Sequence, residues 1–218
     1  MSSAKQQRSF EVYERAARIA LTSAIMVITA ILVTDLAQAQ TYNESILHSF
    51  TGTNGEYPSA SLLRDAHGNL YGTTDGGGSL QGGTVFMLDS AGNETTLYNF
   101  PSIGSPVGAL VSDTQGNLYG TTWEGGAYGG GTVFKVEPNG QETVLHVFTG
   151  TDGDGYLSKA GLVIDKHGNL YGTTIYGGAS GSGLSGYGTV FKVDSHGNET
   201  VLHSFTGTGE TGHIPMQA

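Results

Sequence analysis

The sequence predicts an all-β fold: β-propeller-like tandem four-stranded blades, about three blades plus one extra N-terminal strand, an incomplete ring preceded by an N-terminal signal helix. Three observations predict it. Three phrases recur at spacings of 48 to 57 residues. Each repeat divides into four short runs rich in Val, Leu, Phe, Tyr and Thr, separated by glycine or polar clusters. No helical periodicity follows residue 40.

The elements follow in chain order. Residues 1–39 read as a signal peptide. Lys5, Arg8, Arg15 and Arg18 form a basic leader, and residues 19–34 (IALTSAIMVITAILVT) are uncharged and largely apolar. Ala37-Gln38-Ala39 supplies a small-x-small cleavage pattern, with the cut after Ala39. The apolar run is shorter than the ~20 residues of a spanning helix, which favours cleavage over the competing reading, an uncleaved anchor. Either way the rest of the chain, residues 40–218, lies outside the cytoplasm: secreted, periplasmic or at the cell surface.

A leading d-type strand is expected at residues 44–50, then units at about 60–100, 108–148 and 160–205. GNLYGTT occurs at 68–74, 116–122 and 168–174, and GTVF at 83–86, 131–134 and 188–191. A Leu-x-x-Phe phrase ends each unit, at 97–100, 145–148 and 202–205, and also occurs at 47–50. In the second unit the four strands fall at 109–112 (a), 118–122 (b), 132–136 (c) and 142–148 (d). The a–b links (DAHGN, DTQGN, DKHGN) open with Asp and carry Gly at the fourth place, the chemistry of a tight antiparallel hairpin. The c–d links (DSAGN, EPNGQ, DSHGN) behave alike. Four antiparallel strands per unit suit a propeller blade better than a sandwich, which needs no literal repetition, or a β-helix, whose rungs are shorter.

The a–b and c–d links never change length, whereas the b–c and d–a links do. In an up-and-down blade the two variable links emerge on one face, and variable loops on a rigid scaffold are where binding usually resides.

Composition narrows the partners. The 218 residues carry a formal charge of −10, and residues 40–218 hold 5 basic against 16 acidic side chains. That surface repels phosphate backbones, and no Lys/Arg stripe is present, so a nucleic-acid partner is not expected. Anionic membranes are disfavoured for the same reason, and no stable membrane insertion is expected once the signal is cleaved. The absence of cysteine excludes disulfides, thiolate catalysis and Cys-ligated zinc.

Through these repeats the chain resembles the choice-of-anchor tandem repeat GloVer-containing proteins, whose repeats read like LYGTT-x-x-GG…GGTVFK…G-x-E-x-x-LHSFTG. The resemblance covers about residues 44–207 and is closest at 118–150 (LYGTTWEGGAYGGGTVFKVEPNGQETVLHVFTG). It implies a bacterial exported protein, a β-propeller and often a surface anchor. It implies no catalytic activity and no functional residues to transfer. The pattern stops after Gly207. A leading d strand beside three complete units leaves three arrangements open: a shortened family member, a ring assembled from several chains, or an open arc whose edges favour self-association.

The candidate ligand-binding residues are Trp123, Tyr128, Tyr176 and Tyr187, all in b–c links, where rings can stack on sugars or peptide side chains. The histidines read as packing or hydrogen-bonding residues, since His48, His146 and His203 share one strand-d position with Tyr98. No metal and no cofactor are expected. The alternative metal reading falls on Asp152 and Asp154 (TDGDG), which lack the bidentate Glu of a full calcium loop. The glycine clusters precede no helix and no Gly-Lys-Ser/Thr, so they are not phosphate loops. The expected function is a non-catalytic exported scaffold binding an extracellular glycan, protein or cell-surface ligand through the b–c/d–a face. The alternatives are a polymer-acting hydrolase or lyase on the same scaffold, and a shortened chain without independent function.

Overall fold

The computed structural model describes residues 43–207, and the compact unit begins at Ile46. The signal segment and its cleavage position lie outside the described residues. Three four-stranded antiparallel sheets follow one another, each in the order of its strands along the chain. The first is β1 (Leu63–Arg64), β2 (Leu70–Thr74), β3 (Thr84–Leu88) and β4 (Glu94–Asn99). The second is β5 (Val111–Ser112), β6 (Leu118–Thr122), β7 (Thr132–Val136) and β8 (Glu142–Val147). A short ribbon pairs β9 (Gly155–Tyr156) with β12 (Tyr176–Gly177). The third blade is β10 (Val163–Ile164), β11 (Leu170–Thr173), β13 (Thr189–Val193) and β14 (Glu199–Ser204). These are propeller-like blades, and strands b, c and d fall within a residue of where the repeat phrases place them.

Strand a is shorter than expected: only Val111 and Ser112 pair with strand b, while Ala109 lies against Gly161 of the next unit and Leu110 enters the core. Gly108 lies against the Ala160 carbonyl of the next unit, and Thr121 Oγ1 donates to that same oxygen at 3.2 Å. The hairpins explain the recurring Asp-x-x-Gly-Asn. Asp113 Oδ1 accepts from the amides of Gln115 and Asn117, and its Oδ2 accepts from Asn117 Nδ2 and Tyr119 Oη. Burial and the Asp113 hydrogen bond push the Tyr119 hydroxyl up to about 12.

Each core sits between two blades. Val85 and Phe100 meet Leu110, Leu118, Phe134 and Val136 at the first junction. Val133 and Phe148 meet Leu162, Leu170, Phe191 and Val193 at the second. The Gly of each LYGTT leaves room for the ring of GTVF: a Cβ on Gly120 would stand 2.6 Å from Phe134 Cζ and 2.9 Å from Leu110 Cδ2.

The expected leading strand is corrected in one respect. Residues 46–50 form no hydrogen-bonded strand. They occupy the place of strand d all the same, because Phe50 packs edge-on against Phe86 at 4.9 Å, as Phe100 does against Phe134. Among the described residues no strand c lies beside this segment to complete a ladder, so the side chains pack while the backbone stays unpaired.

Candidate functional site

The b–c/d–a face is built by tying each d–a link to the b–c link that follows. In the first unit Glu56 and Gly76 exchange backbone hydrogen bonds at 2.7 and 3.2 Å. In the second, Trp123 N donates to Ser105 O at 2.8 Å. In the third, β9 and β12 form the ribbon, with Tyr156 opposite Tyr176. Each b–c link is rooted by the last Thr of LYGTT. Thr122 Oγ1 lies 3.0 Å from Thr132 Oγ1 and accepts from Thr132 N, and Thr74 and Thr174 do the same. Gly131 closes that root at φ +88°, where a Cβ would lie 2.2 Å from the Thr122 carbonyl oxygen, so only glycine fits.

The structure separates the four aromatic candidates. Tyr128 is 62% exposed. It lines a cleft of about 690 Å³ between the second and third blades, with His146, Thr149, Thr151, Asp152, Asp154 and Glu199. Trp123 is half-buried beneath Lys159, whose Nζ stands 4.0 Å from the ring centroid. Tyr176 is half-buried in the ribbon, and Tyr187 packs against Gly207. Tyr128 alone of the four lines this cleft.

One wall of the cleft is polar and partly buried. A ring nitrogen of His146 and one carboxylate oxygen each of Asp154 and Glu199 lie within 4.8 Å of one another. His146 and Asp154 are 3.3 Å apart, with side chains 17% and 13% exposed. Asp154 is held from behind: its Oδ2 accepts from Thr149 N at 2.7 Å and Thr149 Oγ1 at 2.9 Å, and its Oδ1 accepts from Gly155 N. Burial works to raise the Asp154 carboxyl, but the hydrogen bonds from His146 and Thr149 outweigh it and leave it below the ordinary range. Burial, then the charge of Asp154, pushes Glu199 above the ordinary range. Each blade's strand d carries a bulge that skips its Leu, so that His146 pairs with Val133 and Val144 with Phe134. Bulges of this kind re-aim side chains.

A family model, the Gloeobacter/Verrucomicrobia repeat, matches residues 32–218. The chain belongs to the Gloeobacter/Verrucomicrobia repeat family. No curated protein matches it. Among solved structures it is similar to a gluconolactonase of Xanthomonas campestris, with a TM-score of 0.49 and 12% identity, over 71% of this chain and 50% of that one. It is also similar to a luciferin-regenerating enzyme, with a TM-score of 0.43 and 18% identity, over 66% of this chain and 44% of that one. The chain spans about half the length of these structures.

In this Gloeobacter/Verrucomicrobia repeat protein the two acidic residues of TDGDG part company. Asp154 joins His146 and Glu199, whereas Asp152 turns the loop at φ +56° and is exposed. Sequence reasoning missed Glu199, because a Glu opens every strand d (Glu94, Glu142, Glu199) and so reads as repeat grammar. The usable signal was the residue before the paired Gly of the d–a link, Asn54 in one unit and Asp154 in another.

Proposed function

We propose that this Gloeobacter/Verrucomicrobia repeat protein is an exported binding module that takes an extracellular carbohydrate through the b–c/d–a face, in the cleft between its second and third blades. One observation carries this reading: the exposed Tyr128 ring shares that cleft with the hydroxyls of Thr149, Thr151 and Thr200 and the carboxylates of Asp152 and Asp154. A sugar needs this combination, an apolar platform for its C–H face and a ring of hydrogen-bonding groups for its hydroxyls. The signal-peptide pattern of residues 1–39 supports an extracytoplasmic setting.

Screening the purified chain on a glycan array, followed by titration of the best ligand, tests the reading. Tyr128→Ala should weaken binding about two- to tenfold, the ~0.5–1.5 kcal/mol an aromatic contact contributes. Trp123→Ala should have a smaller effect, since that ring lies under Lys159. Affinity unchanged in Tyr128→Ala would remove the cleft from consideration.

The polymer-acting hydrolase or lyase keeps one observation in its favour, the partly buried His146, Asp154 and Glu199. These stand on the d-strand side of the blades, away from the adjoining a strands β5 and β10. Turnover of an extracellular polysaccharide that disappears in Glu199→Gln would favour it.

A further inference from the structure

We infer that His146, Asp154 and Glu199 form a site for one divalent first-row cation, with Zn²⁺ the best fit. The repeat itself supplies the comparison. At the junction between the leading segment and the first blade, the equivalent residues are His48, Asn54 and Glu94. There Asn54 Nδ2 bridges to His48 Nε2 at 2.9 Å and to Glu94 Oε2 at 3.3 Å. Thr96 Oγ1 donates to the other Glu94 oxygen at 2.9 Å. Both oxygens of that glutamate therefore have a donor. At the next junction the hydroxyl of Tyr98 hydrogen-bonds Glu142.

The junction between the second and third blades keeps this geometry but loses the donors to its glutamate. Thr149 cradles Asp154 through its amide and hydroxyl as Thr51 cradles Asn54. The replacement of Asn by Asp exchanges the bridging amide for an oxygen. The place of Thr96 is taken by Val201, which has no donor. Glu199 is consequently left with Oε1 buried and without a hydrogen-bond partner. Two carboxylates and one imidazole now face a common point where the sister junction places an amide. A buried acceptor without a partner calls for an ion, a water or a proton, and two carboxylates beside an imidazole nitrogen form a metal-ligand set.

Distances support the assignment. Two ligands about 2.1 Å from one tetrahedral ion stand about 3.4 Å apart. His146 Nε2 and Asp154 Oδ1, at 3.3 Å, already have that separation. The whole set lies within 4.8 Å, so Glu199 has a short distance to close. The imidazole favours zinc and its neighbours over calcium, which takes oxygen donors. All three residues line the cleft, so the remaining coordination position opens towards whatever occupies it.

The inference stands apart from the carbohydrate reading, because metal binding is read directly. Chelator-treated full chain is titrated calorimetrically with Zn²⁺, with Mn²⁺ and Ca²⁺ as comparators, and its melting is followed in parallel. One Zn²⁺ per chain and a higher melting temperature are expected, with Ca²⁺ giving neither. Asp154→Asn restores the amide that Asn54 supplies. It should melt no lower than the parent in chelator, yet bind Zn²⁺ at least about 100-fold more weakly, since a ligand and not an outer partner is lost. Glu199→Gln should lose binding likewise. Absence of saturable Zn²⁺ binding by the parent would overturn the site, and so would equal Zn²⁺ binding by the parent and both variants.

Discussion

Phe148 stands edge-on to Phe191 across the junction of the second and third blades, with ring centroids 5.0 Å apart and planes at 67°. The last Phe of one unit thus enters the core of the next, and the same contact recurs in Phe50 with Phe86 and Phe100 with Phe134. This ring contact recurs at each described junction. Phe148 is fully buried, so Phe148→Ala should cost about 3–5 kcal/mol in urea unfolding. Gly120→Ala places a methyl against Phe134 and should cost about 1–3 kcal/mol through overpacking. A variant at either site that unfolds at the parent's midpoint would contradict this account of the junctions.

Acid stability should follow the hairpin aspartates. Hydrogen bonds from Asn198, first its side chain and then its amide, bring Asp194 down to about 2 from 3.8. A carboxyl lowered on folding contributes stability above its unfolded value and loses it as pH falls through the folded one. The stability difference between the parent and Asp194→Asn should therefore be constant above about pH 5 and shrink as pH falls towards about 2. Melting curves over that range check it, and a difference that fades near neutrality would contradict the assignment.

Glu142 should act in the opposite sense. Burial raises its carboxyl, against the hydrogen bond from Tyr98. The ionised form is then disfavoured in the folded state, and stability is regained as pH falls through the raised value towards 4.5. Glu142→Gln should flatten that part of the profile and melt slightly higher than the parent at neutral pH. A Gln variant with the parent's slope would show that the carboxylate is not the source.

Exposed leucines at the two ends of the described repeats should favour self-association. Leu97 and Leu145 pack into the junctions, whereas the equivalent Leu47 and Leu202 are 59% and 52% exposed. Light scattering should show mass rising with concentration, and Leu202→Lys should suppress the rise. A parent that stays monomeric at every concentration would count against it.

Export predicts a mature chain that begins at Gln40. Intact-mass measurement of protein recovered from outside the cytoplasm reads the terminus directly, and a retained residue 1–39 segment would favour the anchor.

The blades were legible because each rests on local chemistry. The Asp-x-x-Gly-Asn hairpins, the Gly of GTVF at positive φ and the runs of β-formers are written within a few residues of one another, and they recur. Their recurrence gave the period, the strand positions and the shared face of the b–c and d–a links. The pairing of residues across junctions was not written that way. Trp123 and Tyr128 share one link, yet one ring lies beneath Lys159 and the other borders the cleft, a difference set by the neighbouring blade. His146, Asp154 and Glu199 come from a strand, a loop and the strand of the following blade. The register between blades brings them within reach, and only three-dimensional packing decides that register.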